Sequence, residues 1–281
     1  MTTLKSFTHS CLMTFEPLPR EYFSRDDASS SRLMSRIEKI RTLGDFEDSL
    51  RPDYLLFLKF DRSLAAMSAV EFIEQVLIET LKIRAVIVGD DFRFGCDRKG
   101  DFDLLSDYGD KYGFSVSSIE SHCIDDHRVS SSLIRDALIN DQLERTDRML
   151  GRRYTICGHV NHGDKRGRTI GFPTLNLVLR RRSSPLRGVY AVRVAGLGES
   201  LLPGVANIGI RPTVEGDDRF MLEVHLFDFD REVYGQLVEV DFVTRIRDEM
   251  KFDSFDALRR QILEDADKAR RLLGVKQEQQ P

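Results

Sequence analysis

Cysteine is scarce in this chain, and its four residues are scattered: Cys11, Cys96, Cys123 and Cys157. They form no CxxC pair, which excludes a zinc site readable from spacing and favours reduced thiols in a cytoplasmic protein. No apolar run approaches the ~18 residues that a membrane span requires, and the N-terminus lacks the apolar region of a secretory signal. Hydrophobic residues make up 41% and charged residues 31%, which excludes a disordered or fibrous chain.

The length of 281 residues predicts about two domains. In the first, 1–150, helical patterns alternate with short apolar runs that are typical of buried strands. The predicted strands are Cys11–Phe15, Tyr54–Leu58, Ala85–Val88 and Ser115–Ile119, and the predicted helices follow a capping box at Ser68–Glu71 and span Ser130–Leu143. The helix after the capping box has its apolar residues at helical spacing on one face: Phe72, Ile73, Val76, Leu77 and Leu81. This alternation predicts an α/β domain with a parallel, doubly wound sheet.

The pattern changes near Gly151, where the second predicted domain, 151–281, begins. From Tyr154 to Thr244 there is no convincing helical pattern, and short alternating strands are interrupted by Gly and Pro. The predicted strands are Val189–Val194, Phe220–Phe227 and Val233–Phe242. Such a segment predicts an antiparallel β-barrel. A closing helix is expected to be capped by Asp253. Its predicted buried face is Phe255, Leu258, Ile262, Ala266 and Ala269.

Positive charge is concentrated at the start of this second domain. Residues 151–193 carry ten Lys/Arg and one acid, a local charge of +9 on a chain whose net charge is −4. A positive field on an acidic protein points to a small polyanion rather than to a long nucleic acid. A solvated basic surface is the alternative.

Glycine and basic residues alternate in the segment from Gly158 to Asn176. Its glycines allow close backbone approach to an anion, and its cationic side chains add countercharge. The candidate ATP-binding residues are Gly163, Lys165, Gly167, Gly171 and Pro173. The segment is no Walker A loop, because no GK[ST] follows at the required spacing. A merely structural loop is the alternative.

Two oxygen-bearing side chains follow Pro173. Thr174 and Asn176 are two residues apart, so in a strand they share one face, and hard oxygen ligands of this kind suit Mg²⁺. A hydrogen-bonded turn is the alternative. Glu223 lies on the predicted strand Phe220–Phe227 and is a candidate general base, with a solvent-facing glutamate as the alternative.

These strings resemble a known family. Residues from Gly151 to about Leu273 closely resemble the riboflavin kinase module of the bacterial bifunctional riboflavin kinase/FMN adenylyltransferases. The matching strings are GDKRGRTIGFPTLN, SPLRGVYAV, GVANIGIRPTV, LEVHLFDFD and RIRDEMKFDSFDAL. The resemblance implies an ATP-dependent kinase that converts riboflavin to FMN.

The resemblance also implies roles for individual residues. Thr174 and Asn176 would hold Mg²⁺ and the ATP phosphates, and Glu223 would accept the proton of the terminal ribityl hydroxyl. That hydroxyl would attack the γ-phosphoryl group in line. Four residues would cover the flavin ring: Arg247, Glu249, Met250 and Phe252.

The first half resembles the adenylyltransferase module of the same family, which makes FAD from FMN. The matching strings are MTFEPLPREYF, LKFDRSLAAMSAVEFI, VGDDFRFG and VSSSLIRDAL. The corresponding site residues are Asp91, Phe92 and Arg93 on a loop, and Ser130, Ser131 and Arg135 at a helix start suited to a phosphate.

One family feature is missing from this sequence. None of the six histidines forms the HxGH pattern that precedes the second strand in the family. We therefore expect an incomplete nucleotidyltransferase-like (Rossmann-type) domain with two unpaired sheet edges and little FAD synthesis. Either the reading frame starts upstream, which we favour, or this half of the chain folds poorly or rearranges.

Two other function classes remain open at this point. A flavin- or nucleotide-binding protein without turnover would keep the barrel but would not need Glu223. A nucleic-acid-binding module would use the basic window, which offers only Phe172 and Tyr190 for stacking on bases. For the kinase, the expected partners are small-molecule substrates, without nucleic acid or membrane, and the sequence says nothing of oligomeric state.

Overall fold

The computed structural model describes residues 9–23, 32–162, 172–179, 184–211 and 219–275. The described residues form two compact units, unit 1 from 9–23 and 42–129, and unit 2 from 32–41 and 130–275. These units do not coincide with the predicted modules 1–150 and 151–281, because residues 130–150 group with the barrel. Within the described ranges, none of the helices is both long and apolar enough to cross a bilayer.

The strands of unit 1 confirm the four predicted apolar runs. They are β1 (Cys11–Glu16), β2 (Tyr54–Lys59), β3 (Ala85–Gly89) and β4 (Ser115–Ile119). Among the described residues they form two separate parallel pairs, β1 with β2 and β3 with β4. Within the described residues the two pairs are not hydrogen-bonded into one continuous sheet. A small antiparallel hairpin follows, β5 (Cys123–Ile124) with β6 (His127–Arg128).

One hydrophobic core serves both parallel pairs. Its centre is Phe72, Ile73, Leu77 and Leu105, each at most 6% exposed. Met13 of β1, Leu58 of β2 and Val86 of β3 pack against it. The helices of unit 1 are α1 (Pro19–Phe23), α3 (Arg62–Ala66), α4 (Ala69–Glu71) and α5 (Phe102–Tyr112). The shared core keeps the two strand pairs in one unit.

The capping box predicted at Ser68 is present. Ser68 Oγ accepts a hydrogen bond from Glu71 N, and Glu71 Oε2 accepts one from Ser68 N. The helix beyond α4 is a π-helix, Phe72–Thr80. Its extra residue per turn rotates the stripe, so that Phe72, Ile73 and Leu77 are buried while Leu81, expected on the same face, is 36% exposed.

Unit 2 begins with helices that precede the barrel. They are α2 (Arg36–Gly44), whose last three residues fall in unit 1, α6 (Ser131–Ile139) and α7 (Leu143–Leu150). The predicted single helix Ser130–Leu143 is wrong at its end. It is capped at Ser130 as expected, but stops at Asn140, and Asp141 takes a left-handed conformation with φ 57°.

Six antiparallel strands close into a barrel in the order β10-β11-β8-β7-β12-β9. They are β7 (Thr155–Asn161), β8 (Leu175–Leu179), β9 (Gly188–Ala195), β10 (Leu202–Arg211), β11 (Arg219–Leu226) and β12 (Leu237–Arg247). Leu222, Val224 and Leu226 of β11 are buried, as their alternation predicted. The strand predicted over Val233–Phe242 starts later, because residues up to Gln236 form a turn.

A final helix, α8 (Phe255–Leu273), packs on the barrel. Its cap is Ser254 and not Asp253 as predicted, since Ser254 Oγ accepts from Ala257 N at 3.2 Å. Ala266 and Ala269 are buried as expected, but Phe255 is 54% exposed. Phe255 lies in the first turn of the helix, whereas the buried residues lie in its second half, where the helix packs on the barrel.

Candidate active site

Four polar residues lie side by side on four neighbouring strands of the barrel. Asn176 of β8 pairs with Asn161 of β7 on one side and with Glu223 of β11 on the other, and Glu223 in turn pairs with Asn207 of β10. Residues directly opposite in an antiparallel pair point to the same face, with Cβ atoms ~5 Å apart. The barrel therefore carries a polar row, which we define as Asn161, Asn176, Glu223 and Asn207.

Asn176 and Thr174 are oriented by each other. Asn176 is 6% exposed, and its Nδ2 donates to Thr174 O at 3.1 Å and lies 3.5 Å from Thr174 Oγ1. Because the amide nitrogen faces Thr174, the amide oxygen is directed elsewhere. Thr174, Asn176 and the neighbouring Glu223 all carry hard oxygen donors, and turning the Asn176 amide about its terminal torsion would present Oδ1 on the side of Thr174. That donor chemistry fits a Mg²⁺ ion that completes its shell with phosphate and water.

The donor chemistry narrows which metal this set could hold. In the part of the chain that the structure describes, no cluster of three or more His, Cys, Asp or Glu residues could bind a metal. Mg²⁺ does not require such a cluster, because it needs few protein ligands when a nucleotide supplies phosphates.

His225 holds the residue that precedes Thr174. Its Nδ1 lies 2.9 Å from Pro173 O, and since a carbonyl oxygen only accepts, Nδ1 carries the proton. The imidazole also lies edge-on to Phe172, with ring centroids 4.8 Å apart. Burial lowers the pKa of His225, more than the bond to Pro173 raises it. A neutral histidine therefore ties β11 to the start of β8.

A cavity of about 310 Å³ opens beside Thr174. Its wall combines Pro173, Thr174 and Leu175 with the turn that joins β11 to β12. Tyr234 of that turn lies against His162, with ring centroids 3.8 Å apart. The predicted ATP-binding residues Gly163, Lys165, Gly167 and Gly171 lie outside the described residues, and His162 and Phe172 flank them in the chain.

The predicted flavin-covering residues lie at the end of β12 and just after it, and one of them, Glu249, lies against the face that carries the polar row. A Cβ on Gly209 of β10 would lie 1.8 Å from Glu249 Oε1, so the Glu249 carboxylate rests on that glycine. Gly209 is two residues from Asn207 along β10, which places Glu249 next to the polar row. Met250 is 54% exposed, and Arg247 lies 5.8 Å from the centre of the Phe252 ring.

Arg247 is engaged in an ion pair. Its Nε and Nη2 donate to the Asp265 carboxylate of α8 at 2.7–3.0 Å, and its Nη1 donates to Asp248 O at 2.7 Å. Asp265 is only 5% exposed. The guanidinium is thus fixed in place, and only its planar face and the Phe252 ring remain for a ligand.

The predicted adenylyltransferase residues fall in both units. In unit 1, Asp91 lies 2.8 Å from Arg128 Nη2, Phe92 stacks on Phe94 at 5.4 Å, and Arg93 Nη1 donates to Phe92 O. In unit 2, Ser130 Oγ accepts from Leu133 N at 3.2 Å, Ser131 is exposed, and Arg135 is 8% exposed. The hydroxyl of Ser130 is therefore used as a helix cap.

Asn207 is a member of the polar row that sequence reasoning missed. Its string, GVANIGIRPTV, is among those that carry the family resemblance, but nothing in it marks the asparagine. Only the pairing of β10 with β11 brings Asn207 beside Glu223. Strand register between distant segments was the missing information.

Two family models and several known proteins match this chain. The riboflavin kinase family model matches residues 150–273, and the FAD synthetase family model matches 3–133. The bifunctional riboflavin kinase/FMN adenylyltransferase of Escherichia coli K12 is 47% identical over 264 residues, covering 94% of this chain and 82% of that protein. The chain belongs to this family.

One further relative and one solved structure are similar to this chain over most of its length. The bifunctional riboflavin kinase/FMN adenylyltransferase of Haemophilus influenzae is 45% identical over 92% of this chain and 82% of its own length. A crystal structure of a macrolide-efflux protein from Streptococcus pneumoniae superposes with a TM-score of 0.72 and 31% identity, covering 93% of this chain and 83% of that one. The predicted family, the nucleotidyltransferase-like first half and the kinase barrel are confirmed.

Proposed function

We propose that this chain transfers the γ-phosphoryl group of ATP to the terminal ribityl hydroxyl of riboflavin, with Glu223 as the general base. The observation that carries the proposal is the polar row, in which Glu223 stands between Asn176 and Asn207 on one barrel face. A carboxylate beside the phosphate-binding residues can receive the proton of an attacking hydroxyl. The alkoxide that the ribityl hydroxyl becomes then attacks the phosphorus in line, and ADP leaves with the electron pair of the broken P–O bond.

Thr174 and Asn176 would hold Mg²⁺ in this reaction. When bound, the ion neutralises phosphate charge during transfer. The two side chains place the phosphates, and His225 keeps Pro173, and with it Thr174, in position. ATP and riboflavin, with FMN and ADP as products, are the small-molecule partners that we propose.

The nucleotide and the flavin would approach from different sides. We assign the nucleotide base to the cavity beside Thr174, because Leu226, Phe229 and Tyr234 offer apolar and aromatic surface there. The flavin would lie under the segment after Arg247, where Met250 and Phe252 suit its planar ring. The four cysteines are free thiols, in keeping with our expectation of a cytoplasmic location.

The test is incubation of the protein with riboflavin, ATP and Mg²⁺, followed by chromatography of the flavins. We expect FMN to accumulate, and to be absent when EDTA replaces Mg²⁺ or when ATP is omitted. Riboflavin binding without FMN would favour a binding protein without turnover. The same chromatogram tests the expectation that this chain makes little FAD.

A further inference from the structure

Asp248 is held by two arginines from the end of β12. Arg245 Nη2 donates to its carboxylate, and Arg247 Nη1 donates to its carbonyl oxygen at 2.7 Å. Asp248 immediately precedes Glu249 and Met250, so its position determines where the flavin-covering segment leaves the barrel. Arg245 thus fixes the side chain of Asp248, and Arg247 fixes its main chain.

Each arginine is anchored in turn by a carboxylate from another element. Arg247 pairs with Asp265 of α8, as described above. Arg245 Nη1 donates to Asp141, the left-handed residue between α6 and α7, and the two side chains are only 25% and 31% exposed. Because an arginine presents its donors in a rigid planar fork, a guanidinium fixed at Asp141 also fixes the direction in which it meets Asp248.

A buried tyrosine hydroxyl lies beside Asp141. The hydroxyl of Tyr190, a residue with no exposed surface, lies 3.4 Å from Asp141 Oδ1 and 3.1 Å from Arg187 O. Burial, and next the charge of Asp141, raises the pKa of Tyr190, so the hydroxyl stays protonated and can donate. The Asp141 carboxylate is therefore held from two sides.

Asp141 lies between the two stretches that match the known family models. The FAD synthetase match ends at residue 133 and the riboflavin kinase match begins at 150. Residues 134–149 nevertheless belong to unit 2, together with the barrel. This connecting stretch supplies Asp141, which contacts Arg245, and Arg245 in turn holds Asp248 at the start of the flavin-covering segment.

We propose that Asp141 is a positioning residue for riboflavin, acting through Arg245 on Asp248. This inference rests on the proposed function, since it assumes that the segment after Asp248 covers the flavin. Asp141 contacts no substrate in this scheme. It keeps the guanidinium of Arg245 in the orientation that holds the segment over the ring, so its loss weakens riboflavin binding and leaves the nucleotide side unchanged.

The test compares Asp141→Asn with the wild type in the full chain. Asparagine removes the charge and tolerates the left-handed backbone of this position, so the fold is retained. We expect riboflavin affinity, measured by quenching of flavin fluorescence, to fall about fivefold. KM for ATP and the melting temperature should stay at wild-type values, a split that a merely structural role would not produce.

Three further variants show whether the effect passes through Arg245. Asp248→Asn should weaken riboflavin binding to a similar degree, and the double variant should be no worse than either single one, because both act on one chain of contacts. Additive losses would overturn the proposal. Arg245→Lys, which keeps the charge but loses the fork, should behave like Asp141→Asn and provides the test if that variant fails to fold.

Arg41→Gln is the matched control. Arg41 also reaches β12 from outside the barrel, with Nε donating to Glu239 at 2.5 Å, but Glu239 lies toward the other end of the strand. This variant should bind riboflavin like the wild type. If Asp141→Asn does so as well, the inference is wrong while the proposed function stands; a wild type that neither binds nor phosphorylates riboflavin would refute both.

Discussion

Strand register determines the place of Glu223. It stands opposite Asn176 on one neighbouring strand and opposite Asn207 on the other. One residue earlier or later on β11 the side chain would point into the barrel, where Leu222 and Val224 have no exposed surface. A shift of the register by one residue would thus remove the base from the active face.

We expect Glu223→Gln to retain nucleotide binding and to lower turnover by ~10²-fold or more, because the amide cannot accept the hydroxyl proton. Turnover is measured as FMN formed, and nucleotide binding by calorimetry. Glu239→Gln changes another glutamate of a barrel strand and should stay active. A Glu223→Gln variant with near-normal turnover would exclude Glu223 as the base.

His225 gives the barrel a dependence on pH. Burial lowers its pKa below the ordinary 6.5, opposed by the bond to Pro173, and Arg270 and Asp228 add smaller effects of opposite sign. The unfolded chain therefore binds a proton at a higher pH than the folded chain does. The stabilisation is complete above pH 6.5 and decreases as the pH falls toward the folded pKa.

In His225→Gln this part of the pH dependence should be absent. Melting temperatures measured between pH 5 and 8 should decrease toward low pH more steeply for the wild type than for the variant. Parallel curves for the two proteins would show that His225 is not the titrating group.

At the scale of the elements, close backbone approach decides the end of β12. Gly188 opens β9 with φ 110°, and a Cβ there would lie 2.5 Å from Arg247 O and 3.3 Å from Arg245 Nε. Both arginines that hold Asp248 are therefore packed against this glycine. No other residue type has both the backbone freedom and the small size required.

Gly188→Ala should destabilise unit 2 by about 2 kcal/mol, because it combines an unfavourable φ with a clash against a carbonyl oxygen. The measurement is the free energy of unfolding in urea. Gly235→Ala is the control, since Gly235 has a positive φ of 78° but nothing within 4 Å of an added Cβ. Equal losses in both variants would mean that the clash contributes nothing.

Local patterns predicted most of these elements. The four strands of unit 1, the Ser68 capping box and the alternation along β11 follow from residues that are near one another in the chain. The errors arose where a single residue changes the geometry. Asp141 ends α6 with a left-handed turn, and Ser254 takes the cap from its neighbour Asp253.

The candidate site was predictable only in part, because some of its contacts join residues that are distant in the chain. Thr174, Asn176 and Glu223 could be named from their strings and the family resemblance. Three features depend on pairings between residues 16 or more positions apart in the chain: the place of Asn207 beside Glu223, the contact of Glu249 with Gly209, and the contact of Arg245 with Asp141. Such pairings have no signature in one sequence.

At the scale of the whole molecule, the described residues of each unit contain a capping box. In unit 1, Ser68 and Glu71 bond reciprocally. In unit 2, Ser35 and Glu38 do the same, with Ser35 N donating to Glu38 Oε2 at 2.5 Å. Glu38 is 3% exposed, and its Oε1 also accepts from Cys157 N of β7 at 3.0 Å.

Glu38→Ala should therefore cost unit 2 about 2 kcal/mol, because it leaves the Cys157 N–H without its carboxylate acceptor. In calorimetry the unfolding of unit 2 should shift to lower temperature while that of unit 1 stays in place. Glu71→Ala should shift unit 1 alone, and by less. A common shift of all unfolding in both variants would show that the two units unfold as one.

The division of unit 2 into two stretches has a consequence for how the chain is made. Arg41 precedes its partner Glu239 by 198 residues. On the ribosome, residues 32–41 therefore emerge before any barrel strand exists, while 42–129 can already condense. The entropy of closing so long a loop rises only slowly with length, but the contact must wait for β12. Residues 32–41 are thus among the first to be synthesised and among the last to reach their final contacts.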